Sequence, residues 1–338
     1  MKQRLFTLLK LLITASLIAW MAHKLGPTKL QELWKNICHA NPWLLLLGLF
    51  CLAVTLTLGI FRWKLLLKVQ NIHLGFHQAA WLTATGMFFN AFLPGATGGD
   101  VYRAWYVTQA APDRKAHAVL SIAVDRLIGM LGLFLLATIA ILFNLQMLLA
   151  HPQTKAIALF VVGGLIGLVA FLALFTQRHR LTRLPGWERL WTLMPGKKLL
   201  AQLQESWLIY EKHPVALCIA LFMSLGVHLL VVVCAWCVGL ALQVKLASFP
   251  HYLVYCPIIN AVASVPISLG GLGVRESGFS FFFSLQGVPD SQSVAISLLF
   301  YGVMLTLCLI CGIFFIAGKP DQLSPAQGGR ARRSMLDA

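Results

Sequence analysis

The chain has 338 residues, of which 59% are hydrophobic and only 11% are charged, whereas a soluble domain usually has about 25% charged residues. This composition excludes a soluble enzyme and predicts an integral membrane protein. The formal net charge is +16. Because the basic residues flank apolar runs and form no single stripe, the excess favours cytoplasmic loops near anionic lipid over a nucleic-acid partner.

The first half of the chain is predicted to contain three membrane spans and one interrupted helical element. The spans are apolar runs at about 5–22, 42–61 and 116–145, and a basic turn at 62–68 closes the second one. The interrupted element covers about 76–112. It is split from Pro94 to Gly99, because proline and glycine end a helix.

The second half repeats this order, with predicted spans at about 156–176, 214–242 and 291–317. Its interrupted element covers about 251–287 and is split from Pro266 to Gly273. A basic segment at 177–213 carries Trp187, Trp191 and Trp207, which favours helices lying on the membrane surface. Residues 318–338 are predicted to be a disordered basic cytoplasmic tail.

Both interruptions contain the pattern Pro-x-x-x-Gly-Gly-x-x-x-Arg. We interpret it as an internal duplication within one domain, 1–317, with repeat one at about 5–145 and repeat two at about 156–317. The matched residues are 172 positions apart, as are two prolines that begin earlier spans: Pro94 and Pro266, Gly98 and Gly270, Gly99 and Gly271, Arg103 and Arg275, Pro42 and Pro214.

The distribution of Lys and Arg predicts the topology. The two termini, the 62–68 turn and the 177–213 segment are basic and should be cytoplasmic, whereas the charge-poor loops at 144–155 and 243–250 should lie outside. This scheme closes only if each interrupted element is re-entrant. We therefore predict an all-α polytopic membrane protein with six full spans, two re-entrant elements and two inverted repeats, a transporter design.

Charged residues beside the interruptions are the candidate functional residues, because a charge at the bilayer centre costs at least about 2.5–3.5 kcal/mol. The two matched arginines are predicted to bind a phosphate headgroup, assisted by free N–H groups where each second half-helix begins. Alternatively, Asp100–Arg103 and Arg275–Glu276 are interfacial ion pairs that serve only topology. The predicted substrate-binding residues are Asn90, Pro94, Gly98, Gly99, Arg103, Asn260, Pro266, Gly270, Gly271, Gly273 and Arg275.

Other ionisable residues near the interruptions are predicted to act in gating or proton coupling. Asp125 should face a cavity, or else pair with Arg114 or Lys115. His228 is either a proton relay or a neutral side chain bound to a neighbouring carbonyl. The predicted gating or proton-coupling residues are Asp100, Asp125, Arg126, Glu276 and His228.

Three smaller points concern polar and sulfur-containing residues. Asn90 and Asn260 precede the interruptions and either satisfy freed backbone groups or contact a headgroup. The apolar flanks of Cys234-x-x-Cys237 and Cys308-x-x-Cys311 favour packing over a metal or redox site. There is no Walker A loop and no Gly-x-Ser-x-Gly elbow, so we predict no cofactor and no catalytic residues.

Taken together, the two interruptions and Asp125-Arg126 resemble the flippase-like transmembrane domain of bacterial lysylphosphatidylglycerol synthases, which also occurs in stand-alone membrane proteins. The resemblance covers about 5–317. It implies a bacterial inner-membrane flippase for a phosphate-containing lipid, either anionic or polyprenyl. No aminoacyl-transfer domain accompanies it in this sequence, so we do not expect lysylphosphatidylglycerol in particular.

Two other functions remain open at this point. The chain is alternatively a non-transporting partner that presents lipid to a glycosyltransferase or synthase docked at the 177–213 segment. A membrane enzyme that acts on lipid phosphate, with a carboxylate as its base, is the third interpretation.

Overall fold

The computed structural model describes residues 28, 31–92, 98–145, 152–176, 205–264 and 271–316. These ranges contain helices and turns and no strand, which confirms the all-α fold class. Short helices occupy 31–38 and 205–211. The longer helices are α1 (Pro42–Val69), α2 (Phe76–Phe92), α3 (Gly98–Ala110), α4 (Lys115–Phe143), α5 (Pro152–Thr176), α6 (Pro214–Ala241), α7 (Phe249–Ala263), α8 (Val274–Ser284) and α9 (Asp290–Ile316).

Within the described ranges, five helical segments are long and apolar enough to cross a membrane. They are Pro42–Val69, Pro112–Phe143, Thr154–Thr176, Pro214–Ala241 and Asp290–Ile316, which match five of the six predicted spans. The sixth, at 5–22, lies outside the described residues. Only 11% to 39% of the most apolar window of each segment is buried. The remaining apolar surface suits hydrocarbon and would be an aggregation liability in water.

Helix α1 continues about two turns beyond its predicted end. The predicted turn at 62–68 is wrong, because Trp63, Leu66 and Leu67 keep helical spacing and are completely buried. This packing holds the backbone helical to Val69. The basic side chains that suggested a turn therefore project from a helix.

The two halves share an element order and a detail of helix termination. Helices α6 to α9 begin 172 to 176 residues after α1 to α4. Helices α1 and α6 are followed by left-handed residues at matched positions, Asn71 (φ 55°) and Gln243 (φ 56°). In both, the next N–H donates to the carbonyl five residues back, at 3.0 Å, as in a Schellman motif. Because Gln seldom adopts this conformation, its recurrence supports duplication.

The first interrupted element is a helical hairpin. Trp81 of α2 contacts the ring of Tyr106 of α3, and Phe89 contacts Tyr102, with centroids 5.4 and 5.1 Å apart. This pairing runs in opposite directions along the two helices, so they are antiparallel. A hairpin returns toward the side it came from, as a re-entrant element requires. Re-entry itself stays a prediction.

The second interrupted element has the same arrangement. Tyr255 of α7 contacts Phe282 of α8, with ring centroids 5.1 Å apart. Nearer the turn, a Cβ on Gly271 would lie 3.2 Å from the Cβ of Ala263. These contacts make α7 and α8 antiparallel. Both interrupted elements therefore place two half-helices side by side, while the inverted relation between the repeats remains a prediction.

The core lies between the two halves. Helices α1 and α6 pack most extensively, α4 packs on α7, and α9 packs on α2, so each half covers the other's hairpin. A Cβ added to Gly48 would lie 3.2 Å from Cys234 Sγ, which shows how close α1 and α6 approach. Among the described residues no metal cluster is found. Six cysteines are buried and free: Cys51, Cys234, Cys237, Cys256, Cys308 and Cys311.

The end of the 177–213 segment packs against the bundle. Trp207 is buried, and its Nε1 donates to Thr176 Oγ1 at 3.2 Å. The Tyr210 hydroxyl donates to the Leu66 carbonyl at 3.0 Å. The Trp207 ring fills space between α1, α4 and α5, so it contacts protein rather than lipid, and the surface position of the segment's helices stays a prediction. Trp187 and Trp191 lie outside the described residues.

Candidate functional site

The residues beside the first interruption form a charged cluster between α1, α3 and α4. Arg103 is 5% exposed, and its Nη1 lies 3.5 Å from Asp100 Oδ1. Its Nη2 lies 3.8 Å from Asp125 Oδ2, and Asp125 is also buried. The structure thus brings three predicted site residues together, from two helices that are separate in sequence.

Two more arginines belong to this cluster. Arg62 Nε donates to Asp125 Oδ1 at 2.8 Å. Arg126, half-exposed, donates from Nε and Nη2 to the two carboxylate oxygens of Asp100 at 2.8 and 3.0 Å. These are the shortest ion-pair contacts in the cluster, and neither uses Arg103. We call Arg62, Asp100, Arg103, Asp125 and Arg126 the arginine cluster.

Arg62 is the functional candidate that sequence reasoning misses, since it falls in the predicted basic turn. The available signal was the apolar spacing that continues after it through Leu67. That spacing indicates a helix interior, where an arginine needs a partner. Asp125 pairs with Arg62 and Arg103 rather than with Arg114 or Lys115, while its predicted position facing a cavity stays a prediction.

The arginine cluster has three guanidinium groups and two carboxylates, so its formal charge is +1. Arg103 Nε, Arg103 Nη2 and Arg62 Nη1 are buried and have no hydrogen-bond partner among the residues that the structure describes. The 3.8 Å contact between Arg103 and Asp125 is too long to be a hydrogen bond. Leaving a buried donor unsatisfied costs about 1–3 kcal/mol, and more when it is charged. An anion placed against Arg103 would therefore be stabilised.

Packing fixes the guanidinium of Arg103. Its Cζ lies 3.9 Å from the ring centroid of Trp63, a cation–π geometry. Trp63 Nε1 donates to Ser121 Oγ at 3.3 Å. On the other side, the side-chain stem runs along α2, where a Cβ added to Gly86 would lie 2.9 Å from Arg103 Cδ. The donors of Arg103 are thus held in place before any ligand arrives.

The backbone amides at the two interruptions are already used by side chains. Gly99 N–H donates to Asn90 Oδ1 at 2.9 Å, and Gly273 N–H donates to Glu276 Oε2 at 2.5 Å. The prediction that each second half-helix begins with free amides is therefore wrong for these two groups. Side-chain oxygens cap them, as they do at many helix N-termini. Asn90 therefore satisfies a freed backbone amide, which is one of the two roles predicted for it.

The second interruption has a different environment around its arginine. Arg275 is buried, and its Cζ lies 4.8 Å from the ring centroid of Tyr301. Glu276, 1% exposed, binds the Gly273 amide and accepts from Ser297 Oγ at 3.0 Å. Gly273 has a φ of 82°, which only glycine adopts without strain. The carboxylate of Glu276 thus holds the turn into α8.

The partners seen for Arg103 come from the first half of the chain, and those seen for Arg275 come from the second half. Convergence of both arginines on one headgroup therefore remains a prediction. Gly98 begins α3, and Asn260 is half-buried on α7. Three predicted residues, Pro94, Pro266 and Gly270, lie outside the described residues.

The geometry of His228 matches the interpretation in which a neutral side chain binds a neighbouring carbonyl. Its Nε2 lies 2.9 Å from the Gly129 carbonyl oxygen, so a neutral ring can donate there and join α6 to α4. The neighbouring Ser224 hydroxyl donates to the Ile128 carbonyl at 3.1 Å. These two bonds tie the halves together.

Comparison with known proteins identifies the family of this chain. Residues 7–312 match the family described as "Lysylphosphatidylglycerol synthase TM region". The chain is also similar to proteins named "UPF0104 membrane protein". Identity is 22% over 318 residues with that of Pyrococcus horikoshii (88% of this chain, 92% of that protein). It is 25% over 276 residues with that of Methanothermobacter thermautotrophicus (76% and 78%). It is 21% over 297 residues with that of Methanocaldococcus jannaschii (80% and 83%). The chain therefore belongs to the lysylphosphatidylglycerol synthase transmembrane region family.

Proposed function

We propose that this membrane protein is a flippase that binds the phosphate of an anionic or polyprenyl lipid at Arg103 and moves the headgroup across the bilayer. The observation that carries the proposal is the buried Arg103 guanidinium in a cluster of formal charge +1. Within the described part of the chain, its Nε and Nη2 have no hydrogen-bond partner. A phosphate offers several acceptor oxygens to such a fork. The family description refers to lysylphosphatidylglycerol synthases, which supports a lipid substrate without identifying the lipid that this chain binds.

The distances in the arginine cluster also support exchange of partners. A phosphate at Arg103 competes with Asp125 at 3.8 Å and with Asp100 at 3.5 Å. Both carboxylates keep stronger partners, namely Arg62 and Arg126 at 2.8 Å. Arg103 can therefore change its anion while the rest of the cluster stays paired. Asp100 and Asp125 would act as gating residues in this scheme.

The orientation is part of the proposal. We place the protein in a bacterial inner membrane with both termini in the cytoplasm. Each hairpin is re-entrant and the two repeats are inverted. Single cysteines at Asn71 and Asp113, exposed residues on either side of the first hairpin, test this in a chain whose native cysteines are replaced. Both should react with a membrane-impermeant maleimide from the same side of sealed vesicles. Reaction from opposite sides would show that the first hairpin crosses the membrane.

The decisive experiment measures lipid translocation in proteoliposomes. The assay uses phosphatidylglycerol, phosphatidylcholine and a polyprenyl phosphate, each with a fluorophore on its hydrocarbon chain. Translocation is measured by dithionite quenching of the outer leaflet. The protein should accelerate an anionic lipid and not phosphatidylcholine. Arg103→Gln should slow that exchange at least about tenfold, because it removes a charged phosphate contact.

The matched control is Lys245→Gln, which removes the same charge from an exposed loop residue. It should leave the rate unchanged. If neither anionic lipid moves faster than in protein-free vesicles, or if Arg103→Gln translocates at the wild-type rate, the proposal fails. The partner-subunit alternative has less support, since Trp207 and Tyr210 at the end of its docking segment are packed against the bundle.

A further inference from the structure

A second basic feature lies on the side of α1 that faces away from the arginine cluster. The last two turns of α1 and the loop that follows line an open cleft of about 370 Å³. Positions 61, 64, 65 and 68 share one face of the helix, whereas Trp63 and Leu66 face the core. The cleft is lined by Phe61, Lys64, Leu65, Lys68, Ile72, His73 and Leu74.

The lining combines positive charge with an apolar wall. Two ammonium groups and an imidazole meet there, and none of the seven lining residues is acidic. The Lys64 ammonium lies 5.9 Å from the ring centroid of Phe76, so an aromatic ring adjoins the positive charge. Such a site suits an anion that is attached to an apolar body. Its volume is near the lower end of ligand pockets, about 300–1,000 Å³, and accommodates a headgroup rather than a whole lipid.

The position of the cleft along α1 matches the depth of lipid phosphates. The apolar run of the span ends at Phe61, and Lys64 and Lys68 follow within two helical turns. At about 1.5 Å per residue they lie about 5–10 Å beyond the hydrocarbon, within the headgroup layer. Phe61 lies on the hydrocarbon side, where acyl chains would continue.

We propose that this cleft is a binding site for the phosphate headgroup of an anionic glycerophospholipid. Lys64 and Lys68 contact the phosphate, His73 closes the site from the loop, and the acyl chains stay in the bilayer beside Phe61. The site is separate from Arg103, and binding there does not depend on transport. The proposed function and this inference can therefore fail independently.

The test is native mass spectrometry of the full chain in detergent, titrated with phosphatidylglycerol or phosphatidylcholine. The double variant Lys64→Gln/Lys68→Gln should bind phosphatidylglycerol about tenfold more weakly than wild type, because each basic residue near the surface adds measurably to anionic-lipid affinity. The matched control, Lys155→Gln/Lys245→Gln, removes the same charge from exposed residues elsewhere. It should stay within about twofold of wild type.

A photoactivatable phosphatidylglycerol provides a local measurement. Its cross-links should map to residues 61–76 in wild type and disappear from that region in Lys64→Gln/Lys68→Gln. Equal loss of affinity in both double variants would overturn the proposal, as would equal binding of phosphatidylcholine. Glycerol 3-phosphate separates the two sources of phosphate. If it displaces the lipid at equal concentration, the site takes a soluble phosphate ester and the lipid proposal is wrong.

Discussion

Arg103 and Arg275 occupy matched positions in the two halves, yet their surroundings differ. Arg103 lies in a cluster with an excess of positive charge, with carboxylates no closer than 3.5 Å. Arg275 lies against Tyr301, and the carboxylate of Glu276 is bound to the Gly273 amide. The two matched guanidinium groups therefore have different neighbours among the described residues. In the proposed function the first half exchanges the anion, whereas Glu276 in the second half holds its hairpin.

The largest expected effect distinguishes the matched glycines of the two hairpins. Gly99→Ala would place a Cβ 1.8 Å from the Gly86 carbonyl oxygen, and neither backbone can give way without separating α2 from α3. We expect a loss of about 3 kcal/mol or more in the free energy of unfolding. Gly271→Ala meets its nearest atom at 3.2 Å and has a φ of 74°, so about 1–2 kcal/mol is expected. Unfolding in detergent measures both. Equal effects would mean that the two turns pack alike.

The next comparison concerns the carboxylates. Asp125→Asn leaves the partly buried Arg62 and the buried Arg103 short of one negative charge and should destabilise the fold by about 2–4 kcal/mol. Glu276→Gln keeps an oxygen for the Gly273 amide and should cost about 1 kcal/mol. Thermal unfolding of the two variants ranks them. In a double-mutant cycle, Arg62→Gln should recover part of the loss caused by Asp125→Asn. A greater loss in Glu276→Gln would reverse the assignment of the two halves.

A smaller effect tests how Arg275 is held. Arg275→Lys keeps the charge but loses the planar group that lies on Tyr301, so we expect a loss of about 0.5–2 kcal/mol. Tyr301→Phe keeps the ring and serves as the control, with no measurable change in melting temperature. If Tyr301→Phe destabilised the protein more than Arg275→Lys, the ring contact would not be what holds the arginine.

The smallest effect is expected at Arg126. Its guanidinium binds Asp100 at 2.8 Å but is half-exposed, so Arg126→Gln should cost about 0.2–1 kcal/mol. The loss should shrink further in high salt, since solvent ions screen exposed pairs. A large, salt-independent loss of stability would show that Arg126 is part of the buried network.

Local signals account for what the sequence could predict. Hydropathy located five spans, four of them to within a few residues at both ends, and the prolines and glycines located both hairpins. The constant offset between matched residues of the two halves indicated Arg103 and Arg275 as candidate site residues. The energetic cost of a charge inside the membrane indicated Asp100 and Asp125. The contacts that the sequence could not predict join residues that are far apart in the chain. Which carboxylate Arg62 binds depends on how α1 packs against α4.

Two other contacts that the sequence does not predict also depend on packing between distant segments. Asn90 reaches the Gly99 amide only because the hairpin brings the end of α2 beside the start of α3. Trp207 is buried because helix ends from both halves leave a space for its ring. Neither contact follows from hydropathy or from turn residues, since both depend on three-dimensional packing that the chain makes between distant segments.

The central claim is that Arg103 binds the lipid phosphate through its unsatisfied donors, and not through general positive charge. Translocation of fluorescent phosphatidylglycerol by Arg103→Gln and Arg126→Gln tests it most directly, because each variant removes one guanidinium from the same cluster. We predict at least about a tenfold loss of rate for Arg103→Gln and less than about a threefold loss for Arg126→Gln, whose donors are already bound to Asp100. Equal losses in two folded variants would contradict a binding role specific to Arg103.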